Sequence, residues 1–134
     1  MRIFLDANIL FSAAYSNGAS RRLLRELLMR KHVLVVDDYV LEEARRNLSA
    51  KSRGGLRELD RLRSHFEVAA VVGMIPAAIP TSLPEKDRPV LAAALRARCD
   101  ALVTGDRTHF GALYGRTIGG VTIYSPALLV DALL

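Results

Sequence analysis

Short apolar runs rich in β-branched residues alternate with longer segments of helical periodicity from one end of the chain to the other. No other feature restricts the possible folds so strongly. Arg2–Leu5, Val33–Val36, Glu67–Val72, Ala101–Thr104 and Val121–Tyr124 read as strands. Between them lie Ala7–Tyr15, Ser20–Arg30, a segment capped by Asp37 or Asp38 and running to Ser49, Leu56–Phe66 and Arg88–Cys99, all read as helices, and Pro126 opens a last one. Ser20–Arg30 gathers Leu23, Leu24, Leu27 and Leu28 on one face and arginines on the other, the pattern of a helix packed on a core. The strands are continuous apolar runs, as expected of buried parallel strands. Strands alternating with helices imply an α/β domain whose mostly parallel sheet is covered on both faces.

The 134 residues are expected to form one domain, 1–134. With 51% apolar and 25% charged residues, the chain is expected to bury a core of its own and not to be disordered. A single cysteine, Cys99, excludes an internal disulfide framework and fits a reducing compartment. Asp6 interrupts the apolar start before it can form the core of a signal peptide. The longest uncharged run, Val68–Pro84, is broken by Pro76, Pro80 and Pro84 and is shorter than the roughly 20 residues of a membrane-spanning helix. A soluble, cytoplasmic protein without membrane contact is expected.

Ligands of such sheets bind beyond the carboxyl ends of the strands. Asp6 directly follows the first strand, and Asp106 follows the fourth by way of Thr104-Gly105. Asp87 stands at the start of the helix that leads into the fourth strand, and Glu43 lies about one and a half turns into the helix after the second. Carboxylates drawn together from distant segments repel one another unless a cation neutralises them. An oxygen-seeking divalent ion, Mg²⁺ or Mn²⁺, is the natural partner. It would support hydrolysis of a phosphodiester by binding phosphate oxygens and acidifying a water. No cluster of cysteine and histidine points to zinc. Each acid also has a structural reading. Asp6 caps the next helix, Asp87 before Arg88-Pro89 has the form of an N-cap, Asp106 belongs to a turn, and Glu43 is one of two adjacent helical glutamates, of which Glu42 pairs with Arg45 or Arg46 on the solvent face. Asp37 and Asp38 are read as caps.

Four motifs in order bring out a resemblance. Asp6-Ala7-Asn8-Ile9-Leu10, Leu41-Glu42-Glu43-Ala44, Asp87-Arg88-Pro89-Val90-Leu91 and Leu102-Val103-Thr104-Gly105-Asp106 resemble the acidic motifs of PIN-domain ribonucleases, with matching order and spacing. The resemblance implies a three-layer α/β/α fold with a central, mostly parallel five-stranded sheet, a Mg²⁺ or Mn²⁺ site, and hydrolysis of single-stranded RNA. It implies that Asp6, Asp87 and Asp106 hold metal, that Glu43 completes the acidic pocket, and that Asn8 and Thr104 hold the carboxylates in place. Small members are often VapC-like toxins of toxin–antitoxin pairs, so a cognate antitoxin and a homodimer are implied partners. The chain departs from the family in one place: many toxin-type members carry an aspartate where this chain has His109. A loop histidine without a catalytic task is expected there, a substrate contact being the other reading.

The net charge of +5 comes from 19 basic and 14 acidic residues, and 12 of the basic ones fall between Arg21 and Arg63. A basic skirt beside an acidic pocket suits a polyanion that must approach carboxylates, which makes Arg45 and Arg46 candidate substrate contacts. Solvated helix faces with Glu–Arg pairs explain the same charges. A binding module with a vestigial site is the alternative function. A phosphoryl-transfer domain of receiver or haloacid-dehalogenase type fits poorly: Asn8 stands two residues after Asp6, and the last lysine is Lys86.

Overall fold

The structure is a computed structural model and describes residues 1–70, 76 and 78–134. Among the described residues six strands form one sheet: β1 (Arg2–Leu5), β2 (Val33–Asp37), β3 (Glu67–Ala69), β4 (Ala101–Val103), β5 (Thr117–Ile118) and β6 (Val121–Tyr124). Their order is β3-β2-β1-β4-β6-β5, and every pairing is parallel except β5 with β6. The helices are α1 (Ala7–Tyr15), α2 (Ala19–Met29), α3 (Asp38–Lys51), α4 (Arg53–Arg63), α5 (Arg88–Arg96), α6 (Arg107–Phe110) and α7 (Pro126–Leu133). The result is a three-layer α/β/α fold with a central, mostly parallel sheet. Among the described residues no helix is long and apolar enough to cross a membrane.

Ile3, Phe4 and Leu5 of β1 and Ala101, Leu102 and Val103 of β4 have no exposed surface. This explains why the central strands read as unbroken apolar runs: both of their faces are covered. Helix α1 packs against α3 and α4 and buries Ile9, Leu10, Ala13 and Ala14, while α5 packs on β4. The sheet order reverses between β1 and β4, since the chain winds outward through β2 on one side and through β6 on the other. A crevice opens beyond the strand ends at such a reversal, and β1 and β4 are the strands that Asp6 and Asp106 follow.

Three local readings need correction. The expected five strands become six because Thr117–Ile118 pairs antiparallel with β6 through a two-residue turn. Gly119 and Gly120 take φ of +56° and +88° there, the left-handed conformations that such a tight hairpin turn requires and glycine adopts without strain. Helix α4 begins at Arg53 rather than Leu56, because the Ser52 hydroxyl accepts a bond from the Gly55 N–H at 3.0 Å and caps it. Gly55 there marks a close approach: a Cβ on it would meet Leu48 Cδ2 at 2.7 Å. The segment after Asp106 is the short helix α6 rather than a loop, since the Asp106 carboxylate accepts from His109 N at 3.1 Å. Asp37 is the residue that caps α3, accepting from Val40 N. The third strand, read as Glu67–Val72, ends at Ala69 among the described residues, and its positions 71 and 72 lie outside them.

Candidate metal centre

Thr104 is the hub at the end of β4. It is fully buried, and its hydroxyl donates to Asp6 Oδ2 at 2.7 Å. The same oxygen accepts from the Asp106 backbone N–H at 3.1 Å and from Asn8 Nδ2 at 3.3 Å. One donor and two acceptor sites are the full capacity of a hydroxyl, so Thr104 ties the residues following β1 and β4 together with no bond left over. Asn8 completes the tie: its Nδ2 also donates to Asp6 Oδ2 at 3.2 Å, and its Oδ1 accepts from Gly105 N at 2.7 Å. The Tyr114 hydroxyl donates to the Thr104 carbonyl at 2.8 Å. Asp6 also caps α1 by accepting from Ala7 N at 2.8 Å, so its capping reading and its place on the strand rim hold together.

Asp6 is 4% exposed. Burial, partly offset by the bonds from Thr104 and Ala7 and reinforced by the charges of Glu43 and Asp87, raises its pKa to about 6. Asp87 is 8% exposed, and burial raises its pKa too. The His109 and Lys86 charges oppose that rise, and Asp106 adds to it. The charges of Glu43 and Asp87 are both felt at Asp6. Glu43 lies half-buried on α3 and is not part of the tightest group.

That group consists of Asp87, Asp106 and His109, each offering one ligand atom, all within 4.8 Å of one another. His109 Nδ1 lies 2.7 Å from Asp106 Oδ2 and 3.0 Å from Asp87 Oδ2. These are charge contacts without the direction of hydrogen bonds: Asp87 Oδ2 and His109 Nδ1 are buried and have no hydrogen-bond partner. Asp87 also makes no capping bond to α5, at whose start it stands. A buried carboxylate oxygen without a donor is costly, and an oxygen-binding divalent ion would satisfy it. On this observation the residues present fit such an ion. Sequence reasoning missed His109 as a member of the group. Two signals pointed to it: its place three residues after Asp106, which a four-residue helix turns to the same side, and the aspartate that the resemblance to toxin-type nucleases expects at this position.

Tyr39, at the start of α3, donates its hydroxyl to the Lys86 carbonyl at 2.6 Å and so anchors the residue before Asp87. Burial and the charges of Glu43 and Asp87 raise its pKa. Tyr39 also lines an open cleft of about 550 Å³ together with Leu41, Glu42, Arg45, Arg46 and Arg63. Arg46 is exposed, whereas Arg45 donates to Asp60 Oδ1 of α4 at 3.2 Å. The intrahelical pairing expected of the basic helices occurs between Glu26 and Arg30 and between Glu58 and Arg61.

Comparison with known proteins places this arrangement. A family model described as a PIN domain matches residues 2–108. No curated protein sequence matches the chain significantly. Among solved structures, the VapBC2 complex of Rickettsia felis, bound to a DNA fragment from its promoter, is similar with a TM-score of 0.65 at 18% identity, over 93% of this chain and 98% of that chain. VapBC-1 of nontypeable Haemophilus influenzae has a TM-score of 0.64 at 14% identity, over 95% and 99% of the two chains. VapC20 of Mycobacterium tuberculosis, a toxin that cleaves the sarcin–ricin loop, has a TM-score of 0.57 at 14% identity, over 87% and 98%. At these identities the likeness is one of fold.

Proposed function

The chain belongs to the PIN-domain family, and from that premise we propose that it is a divalent-metal-dependent endoribonuclease that hydrolyses phosphodiester bonds of single-stranded RNA, acting as the toxin of a toxin–antitoxin pair. The observation that carries this reading is the gathering of Asp87 and Asp106 beside Asp6 at the reversal of the sheet, with Asp87 Oδ2 buried and without a hydrogen bond. Asp87 and Asp106 would hold Mg²⁺ or Mn²⁺, with Asp6 and Glu43 supplying the remaining negative charge. Such an ion neutralises phosphate charge and lowers the pKa of a bound water. Thr104 and Asn8 fix the direction of Asp6 Oδ2 through the bonds at 2.7 and 3.2 Å. Arg46 and Arg63 line a cleft that also holds Asp38, Tyr39 and Glu42, and on this reading the arginines meet backbone phosphates of a single strand. Arg45 joins them once its exposed pair with Asp60 opens, a pair worth little.

Support for the toxin role comes from the fold shared with VapBC proteins and a VapC toxin. On this reading a cognate antitoxin is the partner, the protein works in the cytoplasm as a single domain, and a homodimer is its solution form. Incubating purified protein with a single-stranded RNA and Mg²⁺ or Mn²⁺ tests the proposal. Cleavage that stops with EDTA and is lost in Asp87→Asn is expected. RNA binding without any metal-dependent cleavage would overturn it and leave a binding module with a vestigial site.

A further inference from the structure

The resemblance to toxin-type nucleases places an aspartate where this chain has His109, and the structure turns that side chain into the acidic group. We propose that His109 is itself a metal ligand through Nδ1, which makes the centre a mixed oxygen–nitrogen site selective for a first-row transition ion over Mg²⁺. This rests on the metal-binding part of the function proposed above and adds the identity of the ion.

Three observations carry it. The ligand atoms of Asp87, Asp106 and His109 lie within one coordination shell's width, all within 4.8 Å of one another. Asp87, 8% exposed, directs into the group an oxygen that has no hydrogen bond and only the charge contact with His109. His109 Nδ1 is buried and equally without a hydrogen-bond partner, although it lies 3.0 Å from that oxygen and 2.7 Å from Asp106 Oδ2. A histidine placed only to pair with the acids would direct its N–H along one of these contacts. Here neither contact has that direction, and a cation between the three atoms satisfies all of them.

The backbone explains how His109 comes to stand beside the acids. His109 lies in the four-residue helix α6, whose first turn is closed by its own N–H bonded to Asp106 Oδ1 at 3.1 Å. The next residue, Phe110, is fully buried and anchors the turn in the core. Asp106 thus keeps Oδ1 for the backbone and leaves Oδ2 toward the imidazole.

The chemical consequence follows from ligand type. Mg²⁺ takes oxygen ligands and dehydrates reluctantly. Imidazole nitrogen binds the first-row divalent ions with an affinity that is lowest for Mn²⁺ and rises beyond it. Exchanging a carboxylate for imidazole also removes one negative charge, which weakens Mg²⁺ more than an ion that gains from the nitrogen bond.

The test loads the full-length protein with Mn²⁺ and reads pulsed electron paramagnetic resonance for coupling to a ¹⁴N nucleus. Calorimetric titrations with Mn²⁺ and Mg²⁺ on wild type and His109→Asp accompany it. Imidazole ¹⁴N coupling is expected in the wild type and absent in His109→Asp, and the ratio of Mn²⁺ to Mg²⁺ affinity should fall in that variant. The other two histidines are remote in the fold, His32 against the Met1 amine and His65 just beyond α4. Bound Mn²⁺ without nitrogen coupling, or an unchanged ratio in a folded His109→Asp, overturns the proposal while leaving a carboxylate metal site intact. Failure of the wild type to bind either ion overturns both readings. The wild-type spectrum decides the question even if the variant does not fold.

Discussion

Replacing Asp6 with Asn should change how the stability of the metal-free protein depends on pH. The native carboxyl has a pKa of about 6 against an ordinary 3.8, chiefly because it is buried. The folded state therefore holds the Asp6 proton more tightly than the unfolded chain does. The stability associated with that proton is complete below about pH 4, falls as pH rises through about 6, and is then constant. At about 1.4 kcal/mol per tenfold in proton affinity, the loss across this window is about 3 kcal/mol. Asn carries no such charge. It has one acceptor oxygen for donors that reach both oxygens of Asp6, from Ala7 N, Thr104 Oγ1 and Asn8 Nδ2. One donor loses its acceptor, at a cost of about 1–3 kcal/mol that does not vary with pH. Asp6→Asn should thus be the less stable protein near pH 4 and should draw level with or pass the wild type near pH 7.5. Urea denaturation in EDTA at intervals from pH 4 to 8 measures this. The other acids titrate in both proteins, so the difference between the curves reports Asp6 together with its coupling to Glu43 and Asp87. Parallel curves would refute the argument that Asp6 is a strained buried acid. Adding Mn²⁺ at pH 7.5 should stabilise the wild type more than the variant.

The remaining predictions concern the surroundings of the centre. Thr104→Val removes the hydroxyl that donates to Asp6 and accepts from Asp106 N; urea denaturation should show a loss of about 1–3 kcal/mol and calorimetry a roughly 10–100-fold weaker affinity for Mn²⁺, both restored largely by Thr104→Ser. Gly119→Ala would force a side chain onto a residue at φ +56°, with its Cβ 2.5 Å from Leu95 Cδ2; about 1–3 kcal/mol of stability should be lost, with RNA cleavage per folded molecule unchanged. Arg46→Ala should weaken RNA binding and reduce the dependence of log affinity on log salt by about 0.7, the contribution of one phosphate contact to a single strand; an unchanged salt slope would remove Arg46 from the substrate path.

Much of this arrangement was legible because parallel-sheet topology turns sequence position into spatial position. An acid immediately after a buried apolar run lies at the carboxyl end of a strand. For Asp6 after Ile3-Phe4-Leu5 and Asp106 after Leu102-Val103-Thr104, the strand order then sets the two ends side by side. The ties of Asn8 and Thr104 to Asp6 follow from the same adjacency. His109 was not legible in this way. It belongs to a helix too short to show periodicity, and its direction depends on Asp106 closing that turn, which is a three-dimensional event. The β5–β6 hairpin was missed for a related reason: two residues give no strand pattern, although Gly119-Gly120 between Ile118 and Val121 carries the turn signal. Asp87 shows the limit of capping rules, since Asp before Arg88-Pro89 has the form of a cap while its side chain makes no capping bond and belongs to the acidic group instead. Helix α4 starts three residues before the expected Leu56 because Ser52 caps the turn and the missing Cβ of Gly55 admits Leu48.

The central claim is that these side chains form a divalent-metal site. Crystals of the protein grown with Mn²⁺, with diffraction recorded for the anomalous signal of manganese, test it most directly. The account predicts one strong peak enclosed by Asp87, Asp106 and His109 on the side of the pocket facing Asp6. A map with manganese only at exposed acids such as Glu42 or Glu85, and none in this pocket, would contradict it.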